Sequence, residues 1–322
     1  MRLYSDRTDY KQRDMRKIIG IGETILDIIF RDNVPVKAVP GGSTFNSMIS
    51  LGRMGLDVSF ISEVGNDKVG TMIIDTLRDS GVDVSSVCSF NDGKSPLSLA
   101  FLNERNDAEY LFYKDYPNNR LDVDFPQIDA DDVVVYGSYF VLNPVLRSKT
   151  KAFLEYARER GAILYYDINF RKNHLHERVK LAEALIENLE YADIVRGSIE
   201  DFENLYSLTD AHRVYKEKIK FYSPNFICTQ GGGSVMLFSR AGEKSYTPNE
   251  VEVVSTVGAG DNFNAGVVYG IVSGGVTRDA LNSLSQEEWD RIMRCGLDFS
   301  SHACTLLDNY VDKEWAAKYK QA

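Results

Sequence analysis

Residues Ser255 to Gly266 read S-T-V-G-A-G-D-N-F-N-A-G. Gly258, Ala259 and Gly260 allow a tight turn without bulky side chains, and Asn262 to Ile271 has the apolar content of a buried helix. A Gly-Ala-Gly turn at a helix N-terminus bares backbone N–H groups, which together with the helix dipole make an anion site. Asp261 stands beside that site, where it can take a proton from a hydroxyl while the amides hold a phosphoryl group. The chemistry this spacing predicts is phosphoryl transfer to an alcohol. The same residues also fit a plain strand–turn–helix corner, with Val253 and Val254 ending the strand and Asp261 only capping the helix.

Other groups are candidates for the same cleft. Gly41-Gly42-Ser43-Thr44-Phe45-Asn46 precedes a helix; the glycines let a substrate hydroxyl approach the backbone, and Asn46 offers both a donor and an acceptor. Ser43 or Thr44 also suits the helix cap. Asp27 lies in the apolar stretch Ile25 to Phe30, where a carboxylate suits two sugar hydroxyls or simply marks an exposed strand face. Asp167-Ile168-Asn169-Phe170-Arg171 puts an acid, an amide and a guanidinium on one side if the chain stays extended, or makes a salt-bridged loop. Gly231-Gly232-Gly233 fits a close approach of a nucleotide, or a hairpin turn into Val235 to Phe238. There is no G-x-x-x-x-G-K-[ST] run, and Gly20-Ile21-Gly22 lacks the third glycine of a dinucleotide fingerprint. His174 and His176 have no evident third metal ligand and read as a solvated helix start.

These residues need a frame. Strands are expected at Lys17 to Gly22, Val58 to Ser62, Val133 to Tyr136, Ala162 to Tyr166, Ile194–Val195 and Phe226 to Thr229. Helices are expected at Asn46 to Met54, Lys68 to Ser80, Arg147 to Arg160 and Glu177 to Glu190. Apolar strands alternating with amphipathic helices predict a doubly wound α/β domain with a mainly parallel sheet. Ligands of such sheets bind beyond the carboxyl ends of the strands, where Asp167, Ser198, Gly231 and Asp261 all fall. Ile25 to Val39 and Pro96 to Tyr113 break the rhythm; they predict a small β-sheet lid, the second as a hairpin turning around Arg105 to Ala108, or else extra strands on the main sheet edge.

Composition sets bounds. The 322 residues are 43% hydrophobic and 26% charged, with a net charge of -10, which is ordinary soluble globular material. No basic run suggests nucleic-acid binding, and no stretch approaches a membrane span. Cys88, Cys228, Cys295 and Cys304 show no C-x-x-C spacing and read as reduced, mostly buried thiols. Residues 1–16 are polar and read as a loose leader before a single domain over 17–322, with Met15 as an alternative start. The compartment these features predict is the cytoplasm.

The assembled residues resemble the ribokinase-like, or PfkB, family of carbohydrate kinases. The resemblance rests on G-G-S-T-F-N-S-M-I-S-L-G-R-M-G with Glu63-Val64-Gly65-Asn66-Asp67 and Gly70, and on S-T-V-G-A-G-D-N-F-N-A-G far downstream. Gly22-Glu23-Thr24-Ile25-Leu26-Asp27 and Phe112-Tyr113-Lys114 are similar to fructokinases and related sugar or sugar-acid kinases. The resemblance implies transfer of the ATP γ-phosphoryl group to a sugar hydroxyl, with Mg²⁺, and a lid over about 25–40 and 95–114 that joins a homodimer. It implies Asp261 as general base and the amides of Gly258, Ala259 and Gly260 as anion hole. It further implies sugar contacts from Asp27, Gly42, Asn46 and Arg171, and a nucleotide site lined by Ser198, Thr229, Gly231 and Gly233. The chain departs from the family in places. Ser255 stands where an aspartate commonly helps hold a monovalent cation, which weakens the case for potassium. The family's N-x-x-E reads Ser198-Ile199-Glu200-Asp201, leaving Asp201 as a shorter carboxylate for the metal. The family's last helix usually runs through small residues into Gly-Ala; here it reads Ser301-His302-Ala303-Cys304-Thr305-Leu306-Leu307, so adenine contacts there do not carry over. A nucleoside kinase of the same fold, stacking on Phe101, Phe112 and Tyr113, is one rival. A sugar-binding or regulatory homologue without turnover is another.

Overall fold

The computed structural model describes residues 15–102, 108–117 and 119–321. The expected leader and the hairpin turn around Arg105 to Ala108 therefore lie largely outside the described residues. In chain order the elements begin β1 (Lys17–Ile21), β2 (Ile25–Arg31), β3 (Val34–Gly41), α1 (Ser43–Arg53), β4 (Asp57–Gly65) and α2 (Lys68–Asp79). Next come β5 (Val82–Asp83), β6 (Val87–Phe90), β7 (Lys94–Leu102), β8 (Ala108–Asp115), β9 (Val133–Gly137), α3 (Ser138–Leu142) and α4 (Arg147–Glu159). Then follow β10 (Ile163–Asp167), α5 (Arg178–Tyr191), β11 (Ile194–Ser198), α6 (Ile199–Tyr206), α7 (Ala211–Val214) and β12 (Asn225–Thr229). The chain closes with β13 (Val235–Ser239), β14 (Gly242–Tyr246), α8 (Ala259–Ser273), α9 (Gln286–Cys304) and α10 (Lys313–Tyr319).

The main sheet has the order β14-β13-β12-β11-β10-β9-β1-β4-β5, with β6 also paired to β4. It is parallel from β5 to β12, and only β13 and β14 run antiparallel. Strand periodicity explains why both faces are covered. Val133, Val135, Ile163, Tyr165 and Ile194 feed one core with α1, α8 and α9, whereas Val134, Leu164, Tyr166 and Val195 feed the other with α4 and α5. The doubly wound α/β class is thus the observed one.

The stretches that broke the βα rhythm form a separate sheet of order β3-β2-β7-β8. Only β2 and β7 are parallel within it. The lid is tied to the body by side chains. Asp67 caps α2 through the Gly70 amide and reaches Ser95 at the start of β7, accepting from its N–H at 2.9 Å and its hydroxyl at 2.8 Å. Beside that end of β7, Lys114 near the end of antiparallel β8 pairs with Glu23 at 2.7 Å. A Cβ on Gly70 would stand 2.0 Å from the Gly65 carbonyl oxygen. The Gly65–Gly70 portion of the sequence motif is therefore architectural: it makes the β4–α2 turn and anchors the lid strand.

Some boundaries differ from the sequence expectation. Val253 and Val254 belong to no strand; they are partly exposed, and the Val254 and Ser255 N–H groups donate to the Cys304 carbonyl at the end of α9. α1 starts at Ser43, with Gly42 as N-cap and no side-chain cap, so neither Ser43 nor Thr44 fills that role. Ser301 to Leu307 is not the final helix: α9 stops at Cys304, and α10 follows. Of the cysteines, Cys228 is buried and the others are only partly so; all are free.

α8 crosses α9 at unusually close range. A Cβ on Gly266 would stand 2.2 Å from the Cys295 carbonyl oxygen and 2.7 Å from the Gly296 Cα. Backbone cannot yield as a side-chain tip does, so Gly266→Ala is expected to destabilise the protein by about 1–3 kcal/mol, read as a lower midpoint in urea. An unchanged midpoint would show that the two helices can part at no cost.

Candidate active site

The sheet ends and the N-terminus of α8 meet in one place. Gly258 is the N-cap of α8 in the left-handed region (φ 79), a conformation that costs glycine little. The first helical bond is donated by the Asn262 N–H to the Gly258 carbonyl at 2.9 Å, so the preceding amides have no acceptor within the helix. Ala259 is a partial exception, since its N–H donates to Thr256 O at 3.2 Å. Asp261 makes no capping bond; it lies in the first turn and is buried. This departs from the plain capped corner that the local pattern also allowed.

What holds Asp261 is α1. Its buried face carries Asn46, Ser47 and Ser50, at the three- and four-residue spacing that aligns side chains on a helix. Asn46 Nδ2 donates to Asp261 Oδ2 at 2.7 Å, Ser47 Oγ to the Asp261 carbonyl at 2.7 Å, and Ser50 Oγ to Asn262 Oδ1 at 2.6 Å. With Nδ2 committed to a carboxylate, the other terminal atom of Asn46 must be its acceptor. That Oδ1 is buried and receives no hydrogen bond. A buried acceptor without a donor is costly, and a ligand hydroxyl entering here would relieve it.

Asp27 comes from the lid. It pairs across β2 with Val39 and Ser98, and the Ser98 hydroxyl donates to its Oδ1. Asn309 Nδ2 approaches its Oδ2 at 3.4 Å. A Cβ on Gly41 would touch Asp27, Asn309 and Asn46 together, so these side chains ring one point. Gly42, at φ 131, lies with its missing Cβ against the Glu23 carbonyl, which brings the β1–β2 connection onto the start of α1.

Electrostatics mark the same point. Burial pushes the Asp261 pKa up to about 6; hydrogen bonds from Asn46 and Ser43 and the charge of Arg171 oppose this, and Asp167 adds to it. Burial likewise pushes Asp27 up to about 6, against the Ser98 hydrogen bond and with help from Asp261. Neighbouring buried carboxylates whose pKa values are pushed toward neutrality are a recurrent mark of reactive sites.

Asp167-Ile168-Asn169-Phe170-Arg171 does not stay extended. Asn169 takes φ 38, which breaks the alternation, and the acid and the guanidinium part. Asp167 pairs instead with Arg196 at 3.0 Å, while Arg171 is exposed yet close enough to act on Asp261 and on Tyr110 of the lid. On the far side, Ser198 and Asp201 form a reciprocal capping box at the start of α6. Burial pushes Asp201 up to about 6, with Asp167 raising it and Arg196 opposing. Thr229 accepts from Arg196 Nη2 at 2.8 Å. Gly231 and Gly233 form the exposed turn from β12 into antiparallel β13, and a Cβ on Gly231 would meet nothing. His174 stacks on Tyr139 and pairs with Glu177; among the described residues no group of three His, Cys, Asp or Glu is placed to hold a metal.

Ser98, Asn309 and Arg196 escaped the sequence reading. Ser98 and Asn309 carry no local pattern; only tertiary contact brings them to Asp27. Arg196 did leave a signal, a charge inside the apolar strand I-V-R-G-S.

Comparison with known proteins agrees with this geometry. A "probable fructokinase-6, chloroplastic" from Arabidopsis thaliana is 25% identical over 277 residues, covering 81% of this chain and 71% of that one. A 5-dehydro-2-deoxygluconokinase from Geobacillus thermodenitrificans is 26% identical over 247 residues, covering 73% and 72%. Among solved structures, a fructokinase double mutant from Vibrio cholerae O395, in a fructose-, ADP- and potassium-bound form, superposes with a TM-score of 0.79 at 20% identity, covering 92% of this chain and 94% of that one. The pfkB family carbohydrate kinase profile matches residues 15–286, and the chain belongs to that family.

Proposed function

We propose that this carbohydrate kinase transfers the γ-phosphoryl group of ATP to a hydroxyl of a small sugar or sugar acid, with Asp261 as general base. The observation that carries the reading is the Asp261 carboxylate, held by Asn46 at the N-terminal turn of α8, with its charge acting on Asp27. Phosphoryl transfer asks a protein mainly for positioning and charge stabilisation. In this reading Asp27, Gly42, Asn46 and Arg171 contact the sugar, with Asn46 Oδ1 accepting a hydrogen bond from a sugar hydroxyl, a donor that the chain itself does not supply. The amides of Gly258, Ala259 and Gly260 hold the transferred group. Ala259 contributes least, because its N–H is shared with Thr256. Ser198, Thr229, Gly231 and Gly233 line the nucleotide side, where the bare Gly231 turn leaves room for a bulky base.

Magnesium needs a different kind of site from one built of protein ligands alone. It keeps water and takes phosphate oxygens readily, with one or two carboxylates in support. Asp201 suits that supporting role, although its Oδ2 already accepts from the Ser198 N–H and hydroxyl. The ion would neutralise charge on the phosphates. Ser255 is buried, and its hydroxyl accepts from the Val257 N–H at 3.2 Å; it brings no charge to a monovalent cation.

The same reading makes residues 17–322 one domain in a cytoplasmic homodimer. In support of the homodimer, the lid leaves Val34, Val36, Leu111, Phe112 and Tyr113 exposed. No helix among the described residues is long and apolar enough to cross a membrane.

A coupled ADP-release assay with ATP tests the substrate class across ketohexoses, aldoses, sugar acids and nucleosides. Sugar-dependent or sugar-acid-dependent release is expected, at least tenfold above the best nucleoside. Turnover of nucleosides alone would transfer the reading to the aromatic rival, and binding of sugars without release would favour the regulatory one.

A further inference from the structure

Arg196 projects from β11 on the same side as Ile194, toward α8. It is 6% exposed. Nη1 donates to Asp167 Oδ1 at 3.0 Å and Nη2 to Thr229 Oγ1 at 2.8 Å, while Nε is buried without a partner. A Cβ built on Gly260 would lie 2.8 Å from Nη2, 3.2 Å from Nη1 and 3.4 Å from Cζ. The guanidinium therefore lies against Gly260, directly behind the first turn of α8, and only glycine leaves it that space. Asp167 is braced from the same helix: its Oδ2 accepts from Asn264 Nδ2 at 2.8 Å, and Asn264 Oδ1 in turn accepts from the Tyr165 hydroxyl at 2.9 Å.

The charges around this turn are mostly negative. Asp167 raises the pKa of both Asp201 and Asp261, so the three carboxylates share one field. A phosphoryl group arriving at the α8 amides enters that field bearing negative charge of its own. Burial works against the charge of Arg196, yet Asp167 and Asp201 hold its pKa above the ordinary arginine range, so it stays a cation.

We propose that Arg196 is a positioning residue for phosphoryl transfer: it braces Gly260 from behind and keeps the α8 turn positive against its surrounding carboxylates. The proposal rests on the kinase reading above. In the step it serves, the bond from the γ-phosphorus to the ADP oxygen breaks, a bond to the sugar oxygen forms, and the hydroxyl proton passes to Asp261. Arg196 touches the turn and not the reacting atoms.

The test compares the full-length double variant Arg196→Gln/Asp167→Asn with Asp167→Asn alone, which avoids leaving a buried carboxylate unpaired. Steady-state kinetics should show kcat about 10²-fold lower in the double variant, with the sugar KM within threefold. Calorimetric titration with ADP and with adenosine supplies a second readout. The preference for ADP over adenosine should fall about tenfold, because the positive charge behind the turn that receives the phosphates is gone. Arg196→Lys should keep part of both. A double variant with kcat within threefold of Asp167→Asn overturns the proposal, as does a loss of kcat with the ADP preference unchanged. If the double variant does not fold, an Arg196→Lys variant that keeps full kcat while losing the ADP preference overturns it instead. A wild type that phosphorylates no sugar would sink the kinase reading, while the ADP-to-adenosine ratio still reports on Arg196.

Discussion

Asp261→Asn is expected to lower sugar phosphorylation by ~10²-fold or more while leaving nucleotide binding within a few-fold of wild type. The amide keeps an acceptor for Asn46 Nδ2, whose 2.7 Å bond fixes the side chain, so geometry survives and proton acceptance does not. The pH profile gives an independent check. With Asp261 at about 6 and needed as the anion, wild-type kcat/KM falls on the acid side below about pH 6. Asp27 titrates in the same range and feels Asp261, so the limb belongs to the pair and not to either residue alone. Stability moves the other way. Between the ordinary value of 3.8 and about 6 the folded chain binds this proton more tightly than the unfolded chain, so stability falls as pH rises through that window. Above it the buried charge is a standing cost. Asp261→Asn removes the charge and should raise stability by roughly 1–3 kcal/mol at pH 7.5, with a smaller gain at pH 5. Near wild-type turnover in this variant would remove Asp261 from the base role; a lower melting temperature at pH 7.5 would contradict the electrostatic account.

Gly258→Ala is expected to lose as much activity for a different reason, and with the opposite stability shift. The residue sits at φ 79, and its Cβ would stand 2.4 Å from the Asn309 carbonyl oxygen. Neither can be relieved by a side-chain rotation. Moving Asn309 also disturbs the Asn262 Nδ2 bond to that carbonyl, 2.9 Å long, and the approach of Asn309 to Asp27. The turn amides then miss the transferred group by a fraction of an ångström, which costs kcat about 10²–10³-fold. The strained backbone costs about 1–3 kcal/mol. Sugar KM should rise as well, through Asp27. Steady-state kinetics with thermal unfolding separates the two variants: both are slow, but Asp261→Asn melts higher than wild type and Gly258→Ala lower. Equal activity for Gly258→Ala would mean that the turn holds no reacting group.

Much of this was legible before folding. Short, β-branched apolar runs such as V-V-V-Y fit strands buried on both faces, and their alternation with amphipathic helices pointed to the doubly wound sheet. The break in rhythm at Ile25 and Pro96 marked the separate lid. Residues already adjacent in sequence, Gly258 to Asp261 and Gly42 to Asn46, announced themselves because a turn and the helix it starts are local structures. The sequence could not show that Val253 and Val254 lack a partner strand, because pairing is non-local.

The sequence by itself determined the fold class, the helix start that can hold an anion, and the carboxylate beside it. Those depend on backbone conformations and periodicities spanning a few residues. Only the tertiary structure decided the state of that carboxylate. Asn46 lies 215 positions from Asp261, and burial between α1 and α8 lifts its pKa toward neutrality. It also decided that Asp167 answers Arg196 and not Arg171, because Asn169 turns the chain and β11 lies beside β10. Desolvation and ion pairing depend on what packs against a group from distant parts of the chain, and one-dimensional spacing does not contain that information.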